Sequence, residues 1–160
     1  MEFYYPNRIN DMWRVMGLVF CGDKDALWDV SSNRFNLPAI KSLLTSYHIA
    51  MWDTAMEVRR LRDNASDKYL EIVRPIDLVA LLDAHPSIAA VVTAGEKASG
   101  VVAELLGVEV PPVGKRVSGI IGSHPVAFYR MPSTSRAYPL PLERKADFYR
   151  QMFVETGVLS

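Results

Sequence analysis

The segment from Ser87 to Leu106 constrains the fold most. Ser87 to Thr93 is a short run rich in β-branched residues, Gly95 interrupts it, and Glu96 to about Leu106 carries helical periodicity. A strand that turns at a glycine straight into a helix is the repeating step of α/β proteins, which bury their apolar faces by layering helices on a sheet. The same alternation recurs along the chain and argues for an α/β layered domain.

Upstream, Trp13, Met16, Gly17 and Phe20 recur at helical spacing after Asn10, a candidate cap. A polar loop from Gly22 to Asn36 follows, and then a second helix from about Leu37 to Ser46 with Ile40, Leu43 and Leu44 on its buried face. His48 to Ala55 reads as a buried strand ending at Asp53 or Thr54. Arg59, Arg60, Arg62 and the run from Asp63 to Asp67 make a charged, turn-rich stretch. Pro75 and Asp77 open a helix carrying Ile76, Val79 and Leu82. Val117 to Ile121 and Val126 to Met131 read as strands, and Leu142, Ala146, Tyr149 and Phe153 line the last helix. No repeat, low-complexity tract or dividing linker is visible, so the 160 residues are expected to form one domain.

Composition narrows the function classes. Hydrophobic residues make up 49% and charged residues 22%, the balance of a globular protein. Lys+Arg and Asp+Glu both number 18, which argues against nucleic-acid binding through an overall basic surface, although local patches remain open. Cys21 is the only cysteine and the three histidines are scattered, so neither a disulfide nor a metal site is expected. An acidic residue stands where a signal peptide has its basic region, and no apolar run is long enough to cross a bilayer; the expected location is cytoplasmic.

Several familiar motifs fail. Gly95-Glu-Lys-Ala-Ser-Gly100 joins a strand to a helix but lacks the spacing and Gly-Lys-Ser/Thr ending of a P-loop. There is no Gly-x-Ser-x-Gly elbow. His124-Pro125 precedes its strand, whereas sites in open α/β sheets lie beyond the strands' carboxyl ends.

Three separated segments carry a resemblance. Phe3-Tyr-Tyr-Pro-Asn-Arg-Ile-Asn-Asp-Met-Trp-Arg14 is similar to the aromatic–Pro–Asn–x–aromatic–Trp segment of mismatch-specific uracil and hypoxanthine DNA glycosylases. Ile49 to Asp53, Ala65 to Asp67 and Val91 to Ala98 resemble that group's central strands, and Met131-Pro-Ser-Thr-Ser135 resembles its second active-site motif. In this order, over nearly the whole chain, they resemble the uracil-DNA glycosylase superfamily. The resemblance implies a three-layer α/β/α domain with a mostly parallel central sheet. It also implies a monofunctional glycosylase that removes uracil or hypoxanthine from double-stranded DNA in base-excision repair, without cofactor or metal.

Breaking an N-glycosidic bond develops positive charge on the sugar and negative charge on the departing base, after the nucleotide is rotated out of the stack. The protein's tasks are to orient a water and to aim donors at the base. By resemblance Asn10 matches the asparagine that orients water in the hypoxanthine branch; as a residue before a helix it is equally a cap. Ser133 and Ser135, with Thr134 and the loop's N–H groups, would hold a phosphate or the flipped nucleotide on a turn stiffened by Pro132. Arg136 would lie beside the minor groove or a phosphate, and is equally readable as a solvated arginine. Tyr4 and Tyr5 are candidates for stacking or for plain packing, and Asp53 for reading a base edge or capping a turn. Gly95 and Lys97 sit where a helix N-terminus would attract DNA phosphate, and the arginines from 59 to 62 form a candidate backbone-contacting strip.

The resemblance has two departures. Met131 stands where relatives have a histidine that stabilises the leaving base, a kind of donor worth about 2.7–4 kcal/mol. The family's first motif, a central strand with a Gly-Pro-rich loop, would lie before Met1, so either the start is misassigned or the chain is a shortened relative. Two rivals follow: a catalytically weak or inactive DNA- or nucleotide-binding relative, and a hydrolase of free nucleosides.

Overall fold

The computed structural model describes residues 3–53, 55–60 and 70–160, with 55–60 and 70–75 described as backbone. Five helices and a small mixed sheet, with two further strand pairs, give these residues a mixed α/β fold. The chain divides into two compact units, one built from residues 1–52 and 132–160, the other from 53–131.

The first unit opens with α1 (Met12–Cys21), which buries Met12, Trp13, Val15 and Met16 and ends on Gly22 in the left-handed region. Gly17 lies in its interior because the backbone of Asp23 crosses there: a Cβ at 17 would stand 2.6 Å from the Asp23 carbonyl oxygen. The loop read as irregular contains a short hairpin, β1 (Trp28–Asp29) against β2 (Arg34–Phe35). Two-residue strands carry no period, which is why the sequence did not reveal them. Helix α2 (Leu37–Ser46) has the expected bounds, with the Asn36 side chain accepting the Ala39 N–H and Pro38 in the first turn, where no N–H is missed. Ile40 and Leu44 are buried, and Leu43 only partly. Helix α5 (Leu142–Glu155) packs on α1. Phe20 meets both Tyr47 and Phe153, at ring-centroid distances of 4.4 and 5.0 Å. Burial holds the Tyr149 phenol well above its ordinary pKa, with the nearby Tyr5 adding to the shift.

The expected strand from His48 to Ala55 is corrected over residues 48–53; Thr54 lies outside the described residues, and Ala55 already belongs to the first strand of the second unit. His48 takes a positive φ of 57° at the end of a turn, residues 49–53 are irregular, and Trp52 is 59% exposed. An apolar run of this length specifies burial no better than extension, and here it supplies neither.

The second unit holds the antiparallel pair β3 (Ala55–Arg60) and β4 (Leu70–Pro75). Arg59 and Arg60 therefore lie in a strand rather than a turn-rich stretch; Arg62 and the run to Asp67 fall outside the described residues. Asp77 caps α3 (Leu78–Ala84) through the Ala80 N–H, with Leu78 and Leu82 buried and Val79 exposed. Strand β5 (Ala90–Ala94) leads through Gly95 into α4 (Glu96–Leu106), as the sequence predicts. The main sheet is completed by β6 (Arg116–Ile121) and β7 (His124–Met131), in the order β5–β7–β6.

In this sheet β5 runs parallel to β7, but β6 pairs antiparallel with it. The described strands thus make a mixed sheet where a mostly parallel one was expected. Only Gly122 and Ser123 separate β6 from β7, and a two-residue loop joins antiparallel strands. Gly122 supplies the positive φ of 63° that such a loop needs. Pro125 is tolerated in the central strand because pairing with β5 starts at Ala127. One apolar cluster, including Leu82, Val102, Ile121 and Phe128, fastens α3 and α4 to this sheet.

Candidate functional site

The two segments singled out near the ends of the sequence meet in the first unit. Asn10 and Ser135 form an isolated antiparallel bridge. The Asp11 N–H donates to the Thr134 carbonyl at 2.7 Å, and the Arg136 N–H donates to the Ile9 carbonyl at 3.2 Å. These bonds fix Asn10 beside the Pro132–Arg136 loop at backbone precision.

The side chain of Asn10 accepts the Met12 N–H at 2.9 Å, while Asp11 occupies the helix-cap position without a side-chain capping bond. Asn10 thus supports the start of α1 from one residue further out than expected. An amide oxygen has two lone pairs, so this bond leaves one acceptor site on the half-buried Asn10.

The loop is internally braced. Ser133 Oγ accepts the Ser135 N–H and Ser135 Oγ accepts the Ala137 N–H, both at 3.2 Å. With the Arg136 N–H given to Ile9, the N–H groups of 135, 136 and 137 are spent. A phosphate cradle of those amides is therefore excluded. What the loop offers outward is the hydroxyl protons of Ser133 and Ser135, both half-buried, and the Arg136 guanidinium; Pro132 and Thr134 are buried.

Sequence reasoning missed the group at the centre of this arrangement, Asp11. Its carboxylate, 8% exposed, receives Arg136 Nε at 2.9 Å and Arg14 Nη1 at 3.3 Å on Oδ1. Lys145 approaches Oδ2 to 3.5 Å and donates to the Ser135 carbonyl at 2.9 Å. Charged groups this buried persist when paired and hydrogen-bonded. A signal was present: Lys145, Tyr149 and Met152 recur at helical spacing on the buried face of α5, and a lysine in an apolar stripe demands an acid elsewhere.

Arg14 and Arg136 also line a cleft of about 270 Å³ together with Arg8, Lys24, Trp28 and Phe35. Asp25, its one acidic wall residue, is paired to Lys24 at 3.0 Å. The Arg8 guanidinium lies over the Trp28 ring, 4.8 Å from its centroid, and Trp28 meets Phe35 edge-on at 5.0 Å.

Tyr4 and Tyr5 are built into packing around Trp13. The Trp13 indole N–H donates to the Tyr4 carbonyl at 3.1 Å, and Tyr5 meets the Trp13 ring edge-on at 6.3 Å. Tyr5 does so at a φ of 52°, unusual for an aromatic residue.

Asp53, Gly95 and Lys97 belong to the second unit. Asp53 is exposed and comes before β3 rather than at a strand's end. The Gly95 N–H donates to the Met131 carbonyl at 3.3 Å and so is not presented to an anion. Its carbonyl accepts the Ser99 hydroxyl at 2.6 Å, and Ser99 meets Thr93 Oγ1 at 2.8 Å, a buried chain that fixes the turn from β5 into α4. Lys97 is exposed in the first turn of α4, and His124 is paired with Asp83 at 2.7 Å.

No protein-family model, curated protein or solved structure matches the chain. Among the described residues, no helix is long and apolar enough to cross a membrane, and no group of three or more His, Cys, Asp or Glu side chains is placed to hold a metal ion.

Proposed function

We propose that this chain is a monofunctional DNA glycosylase with a uracil-DNA glycosylase-like three-layer fold, releasing a deaminated base such as uracil or hypoxanthine for base-excision repair. The observation that carries the reading is the bridge between Asn10 and Ser135, which unites the two segments that resemble the family's site. In this reaction a water attacks the sugar's C1′, the bond to the base nitrogen breaks, and that nitrogen keeps the electron pair and gains a proton. Asn10, steadied by the Met12 N–H, orients the water with its second lone pair. The hydroxyls of Ser133 and Ser135 and the guanidinium of Arg136 engage the nucleotide and its phosphate. The substrate is a DNA duplex with a mispaired or damaged base, the kind that costs least to flip.

A second reading, a DNA- or nucleotide-binding relative without turnover, is favoured by the bond from Met12, which takes one of the two lone pairs of Asn10 Oδ1 and gives this side chain a purely structural task. Base release from uracil- and hypoxanthine-containing duplexes separates the two. On the glycosylase reading the chain releases base, and Asn10→Ala removes turnover while keeping duplex affinity. Duplex binding without release, equally in wild type and Asn10→Ala, would leave only the binding relative standing. Absence of both release and binding would sink both.

A further inference from the structure

We infer that the cleft framed by Arg8, Arg14 and Arg136 binds a phosphate monoester carried on a body no larger than one nucleotide. This goes beyond the glycosylase reading and does not depend on it. Three arginines line one concavity, and a cleft walled by one sign of charge concentrates the field that draws in an anion. Lys24 is matched by Asp25. Asp11 shares its single charge among Arg14, Arg136 and Lys145, so the cleft keeps a net positive lining. A phosphate monoester carries about −1.5 to −2 at pH 7, which suits that lining better than the single charge of a diester.

The donors are held in place before any ligand arrives. Arg136 gives Asp11 its Nε and Arg14 gives it one Nη1, and a guanidinium has five N–H donors, so most of each fork faces elsewhere. Asp11 itself is fixed by the buried Lys145 behind it. Arg8 lies on the Trp28 ring, which is in turn set by Phe35. An arginine already stacked loses less freedom on binding phosphate than a solvated one. The cleft is small: about 270 Å³ lies just below the usual range of small-molecule sites, which suits one phosphate with a single nucleoside-sized body against the Trp28 and Phe35 rings.

The phosphate could be that of a free nucleotide or the 5′ end of a DNA strand, and calorimetry on the full chain distinguishes these. Thymidine 5′-monophosphate is expected to bind at least about tenfold more tightly than thymidine, and the advantage should shrink as salt rises. Arg8→Gln should lower that affinity about tenfold, and Arg8→Lys should lower it by less, because it keeps the charge and loses the planar fork. Arg8 is exposed and lies outside the helices, so an unchanged thermal midpoint is expected for both variants. A 5′-phosphorylated oligonucleotide that binds more tightly than its 5′-hydroxyl twin assigns the site to strand ends; parity between the two assigns it to free nucleotides. Equal affinity for nucleotide and nucleoside, or an Arg8→Gln variant that binds like wild type, overturns the inference. Base release plays no part in these readouts, so failure here is distinct from failure of the glycosylase reading.

Discussion

Lys145 and Asp11 form a buried ion pair: the ammonium of a side chain only 1% exposed stands 3.5 Å from Asp11 Oδ2. Because Asp11 also takes Arg136 from the loop and Arg14 from its own helix, one carboxylate ties α1, α5 and the Pro132–Arg136 loop together. The stability of the candidate site is thereby linked to a residue that touches no proposed ligand.

Asp11→Asn leaves Lys145 buried without its anion, and breaking such a pair costs about 3–5 kcal/mol. Urea unfolding should show a loss of that order. Adding Lys145→Met to Asp11→Asn should restore part of it, since the stranded charge is then gone. A single variant within about 1 kcal/mol of wild type would show the pair to be incidental.

Two helical glycines should respond with opposite signs to the same change. Alanine is favoured over glycine in helix interiors by up to about 1 kcal/mol. Gly100 in α4 has nothing within 4 Å of a built Cβ, so Gly100→Ala should raise the thermal midpoint. Gly17→Ala drives a methyl to 2.6 Å from the Asp23 carbonyl oxygen, a backbone atom that cannot swing aside, and should lower it. Equal shifts in the two variants would show that the α1 contact relaxes freely.

The β1–β2 hairpin should show its own acid transition. Hydrogen bonds from the Ser32 and then the Ser31 hydroxyl hold Asp29 at a pKa of about 2, below its ordinary 3.8. A depressed carboxylate stabilises the fold fully above its unfolded pKa, and that contribution disappears as pH falls through the folded value. The hairpin should therefore keep its support above pH 3.8 and lose it on the way down to about 2. Carbon-detected NMR titration should place the Asp29 midpoint near the lower value, and Ser32→Ala should move it upward. A midpoint already at the ordinary value in wild type would remove the hydroxyl contacts from the account.

The elements legible in the sequence are those whose determinants are local. The spacing of Ile40, Leu43 and Leu44 announced α2, Gly95 announced the passage from β5 to α4, and the stride of Ala146, Tyr149 and Phe153 announced α5. Strand partners were not legible, because pairing direction depends on what else is within reach. The two-residue link at Gly122 decides the β6–β7 geometry: His124 and Pro125, expected to precede the strand, lie within β7 because a link this short pairs them at once with Ile121 and Ile120. Residues 49–53 show the converse, since an apolar composition there gives irregular backbone and not a strand. At the site, Asn10 and the Ser133–Arg136 loop stood out by resemblance. Asp11 did not, because Arg136 lies 125 residues away and only folding brings the two to 2.9 Å.

That separation also sets the order in which a nascent chain can acquire these parts. Residues 53–131 emerge as one uninterrupted stretch, whereas the other unit combines 1–52 with 132–160. A ribosome extends the chain N-terminus first, at about 5–20 residues per second. Asp11 must therefore wait in water, with only Arg14 of its three cationic partners at hand, until Arg136 and Lys145 have left the exit tunnel. The cationic cleft and the Asn10–Ser135 bridge are accordingly among the last features to assemble, and translation that stalls before Ser135 yields a chain with neither.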